Sequence, residues 1–190
     1  AKEARRSAVF REFFLFQMQL ALMSSQNKSH SGYAKHYDLE EISKLTKSLP
    51  FDLSPDQKKV INEIFADMFV DRQMQRLLQG DVGSGKTVFA IYGAVTAGYQ
   101  AALMVPTEIL ANQHYHKISS MLEDFGVRVA LLTGSTKTME RREIYKELAD
   151  GSINVVIGTH ALIQEQVAFK KLGLVIIDEQ HRFGVAQRLA

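Results

Sequence analysis

The segment LLQGDVGSGKT at residues 77–87 constrains the fold of this chain more than any other stretch. Gly80, Gly85, Lys86 and Thr87 fill the pattern G-x-x-x-x-G-K-[ST], in which a glycine-rich loop directs backbone N–H groups at phosphate oxygens. The helix that follows such a loop adds the positive end of its dipole to the same anion site. The sequence therefore predicts a buried strand, a phosphate-binding loop and a helix, in that order.

Each position of this loop has a predicted role in nucleotide binding. Lys86 is expected to reach the β- and γ-phosphates and to act in catalysis, and the Thr87 hydroxyl to coordinate Mg²⁺. The alternative, a glycine-rich turn with an incidental lysine, does not account for the complete pattern. The predicted nucleotide contacts in the loop are Gly80, Asp81, Val82, Gly83, Ser84, Gly85, Lys86 and Thr87.

A second segment, LVIIDEQH at residues 174–181, supplies the carboxylates that this chemistry needs. Its apolar run is typical of a strand buried on both faces of a parallel sheet, and ligands of α/β sheets bind beyond the carboxyl ends of such strands. Asp178 is the expected Mg²⁺ partner, and Glu179 is positioned to deprotonate the attacking water. An isolated acidic pair is more often a solvated turn, so the phosphate loop is what favours the catalytic interpretation.

Composition excludes several classes of protein. The 190 residues suffice for one domain with a modest appendage, and the absence of cysteine leaves no disulfide framework or thiolate metal site. Neither a membrane-spanning apolar run nor a signal peptide is visible, so we expect no membrane partner, and the lack of cysteine is compatible with a cytoplasmic location. A net charge of +2 means that any DNA contact depends on local placement of groups.

From residue 76 onward, apolar segments alternate with helical patterns, which predicts a parallel sheet covered by helices on both faces. The expected class is α/β, with the core of a RecA-like P-loop NTPase domain. Gly98, Gly126 and Gly151 stand where glycines that end helices are expected. The predicted strands are 76–79, 101–105, 128–132, 154–157 and 174–178, and the predicted helices between them are 86–97, 108–125 and 139–149.

The residues before this sheet predict a helical extension. SPDQ at 54–57 has the capping-box pattern that begins a helix, and residues 4–23 read as a helix too apolar to stand free in water. The polar segment 24–37 predicts a loop or linker. We therefore divide the chain into an extension over 1–49 and a motor domain over 50–190.

Gln57 allows two interpretations that do not exclude each other. It closes the capping box, or its amide, which is both donor and acceptor, reads the adenine edge while Phe51 stacks on the ring. Sequence alone does not separate the two.

Three further strand ends carry glycine or small hydroxyl-bearing residues. Their N–H and O–H groups are suited to donate hydrogen bonds to the phosphates of a nucleic-acid backbone. Ordinary helix capping explains any one of them, whereas three on one sheet edge favour DNA binding. His160 is either a DNA contact or a packed, hydrogen-bonded histidine. The candidate DNA residues are Pro106, Thr107, Thr133, Gly134, Ser135, Gly158, Thr159 and His160.

Taken together, GDVGSGKT (80–87), PTEILANQH (106–114), LLTGS (131–135), GTHALIQ (158–164) and VIIDEQHRFGVAQR (175–188) resemble the first motor domain of superfamily 2 helicases. Within them they are most similar to the RecG family of branched-DNA translocases. The resemblance covers nearly the whole chain, including LPFDLSPDQ at 49–57. The resemblance implies ATP and Mg²⁺ as cofactors, and forked or branched DNA as the partner of a whole protein for which a monomer is a possible state. It also implies that Gln180 and His181 couple hydrolysis to domain movement.

The resemblance also implies parts beyond this chain, namely a second motor domain with an arginine finger and a wedge domain. We therefore expect the chain alone to bind nucleotide weakly and not to unwind DNA, whereas the whole protein remodels stalled forks and Holliday junctions. The alternatives are a transcription-repair coupling translocase and a P-loop kinase or nucleotide switch that does not act on nucleic acid.

Overall fold

A parallel sheet of four strands organises the part of the chain that the structure describes. The computed structural model describes residues 14, 18, 34–49, 52–71, 74, 76–77 and 86–179. All three strand pairings are parallel, so the carboxyl ends of the strands lie along one edge. The strands are β1 (Gln100–Met104), β2 (Val129–Leu132), β3 (Val155–Gly158) and β4 (Leu172–Ile177), in the order β2-β3-β1-β4 across the sheet.

The helices precede and connect these strands. Within the described residues they are α1 (Leu39–Ser48), α2 (Pro55–Met68), α3 (Lys86–Thr96), α4 (Glu108–Leu122) and α5 (Thr138–Asp150). Two short 3-10 helices, Glu123–Phe125 and His160–Ile163, follow α4 and β3. No helix among the described residues is long and apolar enough to cross a membrane.

Four of the predicted strands and the three helices between them are confirmed, with ends that differ by two or three residues at most. The largest helical difference is at α4, where the α-helix ends at Leu122 and the last predicted turn tightens into a 3-10 helix. Gly98, Gly126 and Gly151 have left-handed φ angles of 79°, 65° and 84°, as expected for glycines that end helices. The strand predicted at 76–79 is not seen at residues 76–77, and residues 78–79 lie outside the described part.

Side chains of the sheet alternate between two hydrophobic cores, which confirms that helices cover both faces. Ala101 and Leu103 of β1 belong to the larger core, which α1, α2, α3 and α4 complete. Ala102 and Met104 belong to the smaller core, where α5 packs through Ile144 and Leu148. Successive residues of one strand thus serve opposite faces, as the two-residue period of a strand requires.

Helix α1 joins the predicted extension to the larger core. Asp38 caps it by accepting a hydrogen bond from the Glu40 N–H, at 2.8 Å. Ile42 and Leu45 are buried in the core, and the Tyr92 hydroxyl of α3 donates to the Glu41 carboxylate at 2.7 Å. Burial and this hydrogen bond raise the pKa of Tyr92.

Little of the chain before α1 is described. Phe14 and Met18 are helical, in agreement with the helix predicted over 4–23, and about half of each side chain is exposed. Residues 34–37, at the end of the predicted loop, have no regular secondary structure. The remainder of both segments lies outside the described residues.

Candidate active site

Asp178 is held at the carboxyl edge of the sheet immediately after β4. Its backbone N–H donates to the Met104 carbonyl at 2.9 Å, which extends the pairing with β1 by one residue. Its Oδ1 atom accepts a hydrogen bond from the Glu179 N–H at 2.9 Å, and its Oδ2 atom lies 3.1 Å from His114 Nε2. The carboxylate is 26% exposed, so it is oriented by the protein but still open to a ligand.

Glu179 follows in a strained conformation. Its φ of 48° is the only positive φ of a non-glycine residue among the described residues, and such a conformation costs about 1–3 kcal/mol. The hydrogen bond from its N–H to Asp178 supports the turn. In a continuing strand the side chains of residues 178 and 179 would point to opposite faces of the sheet. The positive φ of Glu179 ends the strand geometry, so this constraint on the two carboxylates no longer applies.

Helix α3 begins at Lys86, where the sequence predicts the helix after the phosphate loop. Thr87, in its first turn, is half-buried, and the residues that follow it, from Val88 to Ile91, are buried in the larger core. The helix N-terminus is therefore fixed to the sheet, as a phosphate-binding dipole requires. The predicted loop residues Gly80, Asp81, Val82, Gly83, Ser84 and Gly85, the Lys86 side chain, and Phe51, Gln180 and His181 lie outside the described residues.

The donor set fits a magnesium ion bound together with a nucleotide. Thr87 and Asp178 supply a hydroxyl and a carboxylate, the hard oxygen ligands that Mg²⁺ prefers. Within the described residues no three histidine, aspartate or glutamate side chains cluster as a metal site.

The structure contains the capping box predicted at the start of α2. The Ser54 N–H donates to Gln57 Oε1 at 2.8 Å, and the Gln57 N–H donates to Ser54 Oγ at 3.2 Å. The amide oxygen of Gln57 is thus engaged by the helix cap. The adenine interpretation of Gln57 stays a prediction.

The strand ends predicted to bind DNA meet around Glu108, a residue to which the sequence assigned no role. The Glu108 carboxylate accepts hydrogen bonds from the N–H of Ser135, at 3.0 Å, and from its hydroxyl, at 2.8 Å. These bonds lower the pKa of Glu108, and the nearby His160 contributes to the same shift. Residues that follow β1, β2 and β3 are therefore neighbours at one edge of the sheet.

The turn after β2 is braced from within. The Thr133 hydroxyl lies 2.9 Å from the Ser135 hydroxyl, and the Thr133 N–H donates to Thr136 Oγ1 at 2.9 Å. Arg141 of α5 donates to the carbonyls of Thr133 and Gly134 at 2.9 and 3.0 Å. The turn presents a fixed backbone to whatever binds there.

The predicted DNA residues differ in their accessibility. Thr107, Gly134, Ser135 and His160 are exposed and Pro106 is partly buried, whereas Thr133, Gly158 and Thr159 are buried. Thr107 Oγ1 accepts a hydrogen bond from the Leu110 N–H at 3.3 Å, so it caps α4. Capping, the alternative considered for any single strand end, therefore applies at least to Thr107.

Gly158 has a packing role of its own. A Cβ atom at this position would lie 2.0 Å from the Leu132 carbonyl oxygen and 3.0 Å from the Leu162 side chain. The close approach of β2 and β3 requires glycine here. A contact of Gly158 with DNA stays a prediction.

His114 is the second residue that the sequence interpretation missed. It belongs to the motif PTEILANQH, but only the first residues of that motif were assigned a role. The available signal was the position of His114 on α4, in phase with the buried residues Ala111 and Ile118 and thus on the helix face toward the sheet.

Comparisons with known proteins agree with this geometry. A family profile described as DEAD/DEAH box helicase matches residues 54–189. The chain is 52% identical over 191 residues to the ATP-dependent DNA helicase RecG of Streptococcus pneumoniae, covering 98% of this chain and 28% of that protein. It is 51% identical to the protein of the same name from Aquifex aeolicus, over 96% of this chain and 24% of that protein.

A solved structure of RecG bound to a three-way DNA junction is also similar. It superposes with a TM-score of 0.84 at 48% identity, over 92% of this chain and 24% of that one. The chain thus spans about a quarter of the length of the relatives it matches.

Proposed function

Because this chain belongs to the DEAD/DEAH box helicase family, we propose that it is the ATP-hydrolysing motor domain of a DNA helicase. The observation that carries the proposal is the Asp178–Glu179 turn at the carboxyl end of β4, in a parallel sheet whose neighbouring strand ends form a polar edge. The first carboxylate, Asp178, would hold Mg²⁺ bound together with the phosphates, and the second, Glu179, would activate the attacking water.

In this proposal the nucleotide site is built from α3 and the end of β4. Lys86 and the loop residues before it hold the phosphates, while Thr87 and Asp178 hold Mg²⁺, which neutralises phosphate charge when it is bound. Gln57 and Phe51 contact the adenine. Gln180 and His181, which directly follow the carboxylates, couple hydrolysis to movement.

The polar edge binds the DNA backbone. Ser135, Gly134, Thr107 and His160 are exposed there, and small donors of this kind hold phosphates without reading sequence. The similarity to the RecG proteins supports forked or branched duplex DNA as the substrate of the whole protein, and remodelling of stalled forks and Holliday junctions as its activity. The bacterial origin of the relatives named above supports a bacterial cytoplasmic location, and a monomeric whole protein stays an implication of the resemblance.

Two substitutions in the whole protein test the nucleotide roles. Lys86→Ala should abolish measurable ATP binding because it removes the cation that reaches the phosphates. Glu179→Gln should leave ATP binding intact and lower turnover roughly 10²- to 10⁴-fold, the usual contribution of a general base.

The matched control is Glu165→Gln, the same change at an exposed residue after β3. Its turnover should equal that of the unsubstituted protein. Undiminished hydrolysis by Glu179→Gln, or undiminished ATP affinity of Lys86→Ala, would overturn the assignments.

A further inference from the structure

The contact between His114 and Asp178 joins helix α4 to the proposed magnesium site. We propose that His114 is a positioning residue, which fixes the Asp178 carboxylate in the orientation that receives nucleotide-bound Mg²⁺. The inference rests on the proposed function, because it assigns a purpose to a contact within that same site.

The hydrogen-bond chemistry of the pair defines the direction of the contact. An ionised carboxylate only accepts hydrogen bonds, so in this contact the Nε2–H group of His114 donates a hydrogen bond to Oδ2 of Asp178 across 3.1 Å. A neutral imidazole in this tautomer is sufficient. The other oxygen, Oδ1, accepts the Glu179 N–H at 2.9 Å.

Both carboxylate oxygens therefore have a donor, one from the backbone and one from His114. The terminal torsion of an aspartate is broad, so a single local bond leaves the plane of the carboxylate poorly defined. Asp178 also follows directly after the last strand residue and precedes a strained turn. The bond from His114 is the one that ties this carboxylate to a different element of the fold.

Helix α4 holds the imidazole firmly in place. Ala111 and Ile118, three residues before and four residues after it, are 0% and 1% exposed in the larger core, so this face of the helix is packed on the sheet. The His114 side chain is itself only 16% exposed. Water does not readily replace a donor held in this way.

Partners of metal-ligating groups have a measurable effect on metal binding. Removing a hydrogen bond that orients a ligand typically costs about 10- to 100-fold in metal affinity or activity. The Asp178 side chain is 26% exposed, so it retains access to solvent, from which a ligand would approach. We therefore expect loss of His114 to weaken the magnesium-dependent part of nucleotide binding and to spare the rest.

The test measures the affinity of the whole protein for a fluorescent ADP, once with Mg²⁺ and once with EDTA. His114→Leu removes the donor but keeps an apolar side chain of similar size, and His114→Gln restores an N–H donor at the same reach. The control is His116→Leu, the same change on the same helix at an exposed position.

His114→Leu should lower affinity about 10- to 100-fold with Mg²⁺ and leave it unchanged with EDTA. His114→Gln should recover most of the loss, and His116→Leu should match the unsubstituted protein in both conditions. If thermal unfolding shows that His114→Leu does not fold, His114→Asn replaces it, because the asparagine side chain is too short to reach Asp178. The expected loss of affinity in Mg²⁺ is the same.

Other results overturn the inference. Equal affinity of the leucine variant and the unsubstituted protein in Mg²⁺ would show that Asp178 does not need this donor. Equal losses in Mg²⁺ and EDTA would assign His114 to packing alone. If the unsubstituted protein binds no nucleotide in either condition, the proposed function itself fails, and this outcome is distinct from the other two.

Discussion

The proposed adenine contact would give the Gln57 amide a second role beside the capping box that the structure shows. Its oxygen closes the capping box of α2 by accepting the Ser54 N–H, which leaves the amide nitrogen as the donor available to an adenine ring. Glutamate also closes such a box, since it offers the same acceptor, but it has no N–H to give. The two roles can therefore be separated by one substitution.

We predict that Gln57→Glu lowers ATP affinity and leaves the stability of the fold unchanged. Loss of the adenine donor and repulsion from the nucleotide act on binding, while the cap of α2 is kept. The reciprocal control is Ser54→Ala, which should lower the free energy of unfolding by about 1 kcal/mol without changing the nucleotide contact. Urea unfolding and ATP titration measure the two quantities. Unchanged ATP affinity in Gln57→Glu would leave Gln57 with the capping role only.

At the scale of the element, Gly158 shows how closely β2 and β3 approach each other. The Leu132 carbonyl occupies the space that any side chain at 158 would need. We predict that Gly158→Ala lowers the free energy of unfolding by about 1–3 kcal/mol, because the strand pairing must shift to admit the methyl group.

A second glycine provides the comparison for this prediction. A Cβ at Gly126 would meet no atom within 4 Å, so Gly126→Ala incurs only the strain of its φ of 65°, about 1 kcal/mol. Urea unfolding of the two variants side by side checks the ranking. A smaller loss for Gly158→Ala than for Gly126→Ala would mean that the two strands separate easily.

Helix α4 contacts the polar edge at its first residue, Glu108, and Asp178 of the candidate nucleotide site about one and two-thirds turns later, at His114. The Glu108 carboxylate accepts hydrogen bonds from the N–H and the hydroxyl of Ser135. In the proposed DNA interface, a phosphate would compete for the same two donors. Because hydrogen bonds lower the pKa of Glu108, this contact stabilises the fold above the ordinary pKa of a carboxyl group. The contribution is lost as the pH falls through the lowered value.

We predict that Glu108→Gln increases the affinity of the whole protein for duplex DNA, by roughly twofold to fivefold at low salt. The substitution removes a negative charge that competes with phosphate for the Ser135 donors. Glu143→Gln, at an exposed position on α5, is the control for the change in net charge. DNA titrations at two salt concentrations measure the effect. Weaker binding by Glu108→Gln would indicate that the carboxylate holds the turn in its binding conformation.

The elements were predictable because their signals are local. Ser54 and Gln57 stand three residues apart, and each glycine that ends a helix lies within two residues of the last helical residue, so a short window of sequence contains the information. Helix α1 was not delimited because its buried face consists of only two residues, Ile42 and Leu45. Its capping aspartate, Asp38, was the signal available.

The contacts within the site were not predictable in the same way. Glu108 and Ser135 are separated by 27 residues and His114 and Asp178 by 64. The first pair meets because a single strand, β3, separates β1 from β2, and the second because β4 pairs with β1. A sequence pattern places residues at strand ends, but the order of strands decides which ends are neighbours. The sequence therefore predicted correctly that these strand ends share one edge of the sheet. It assigned no role to Glu108 and His114, the two side chains that connect them.

At the scale of the whole molecule, we propose that this chain depends on further domains for catalysis. The relatives named above are about four times as long as the matched segment, and the family resemblance implies a second motor domain that supplies an arginine to the ATP site. Such an arginine contributes about 10³- to 10⁵-fold to turnover where it operates. In the proposed mechanism Lys86, Asp178 and Glu179 bind and orient the reactants, and the arginine would stabilise the charge that develops in the transition state.

We therefore predict that the isolated chain binds ATP weakly, hydrolyses it at least about 10³-fold more slowly than the whole protein, and does not unwind a fork. Forked DNA should stimulate the whole protein strongly and the isolated chain hardly at all, because stimulation requires DNA to bring the second domain onto the nucleotide. Steady-state ATP turnover of both proteins with and without forked DNA measures this, and Glu179→Gln of each gives the background rate. Equal turnover by the two proteins would show that Lys86, Asp178 and Glu179 suffice for catalysis. Turnover of the whole protein that does not change with forked DNA would favour the alternative of a nucleotide switch that does not act on DNA.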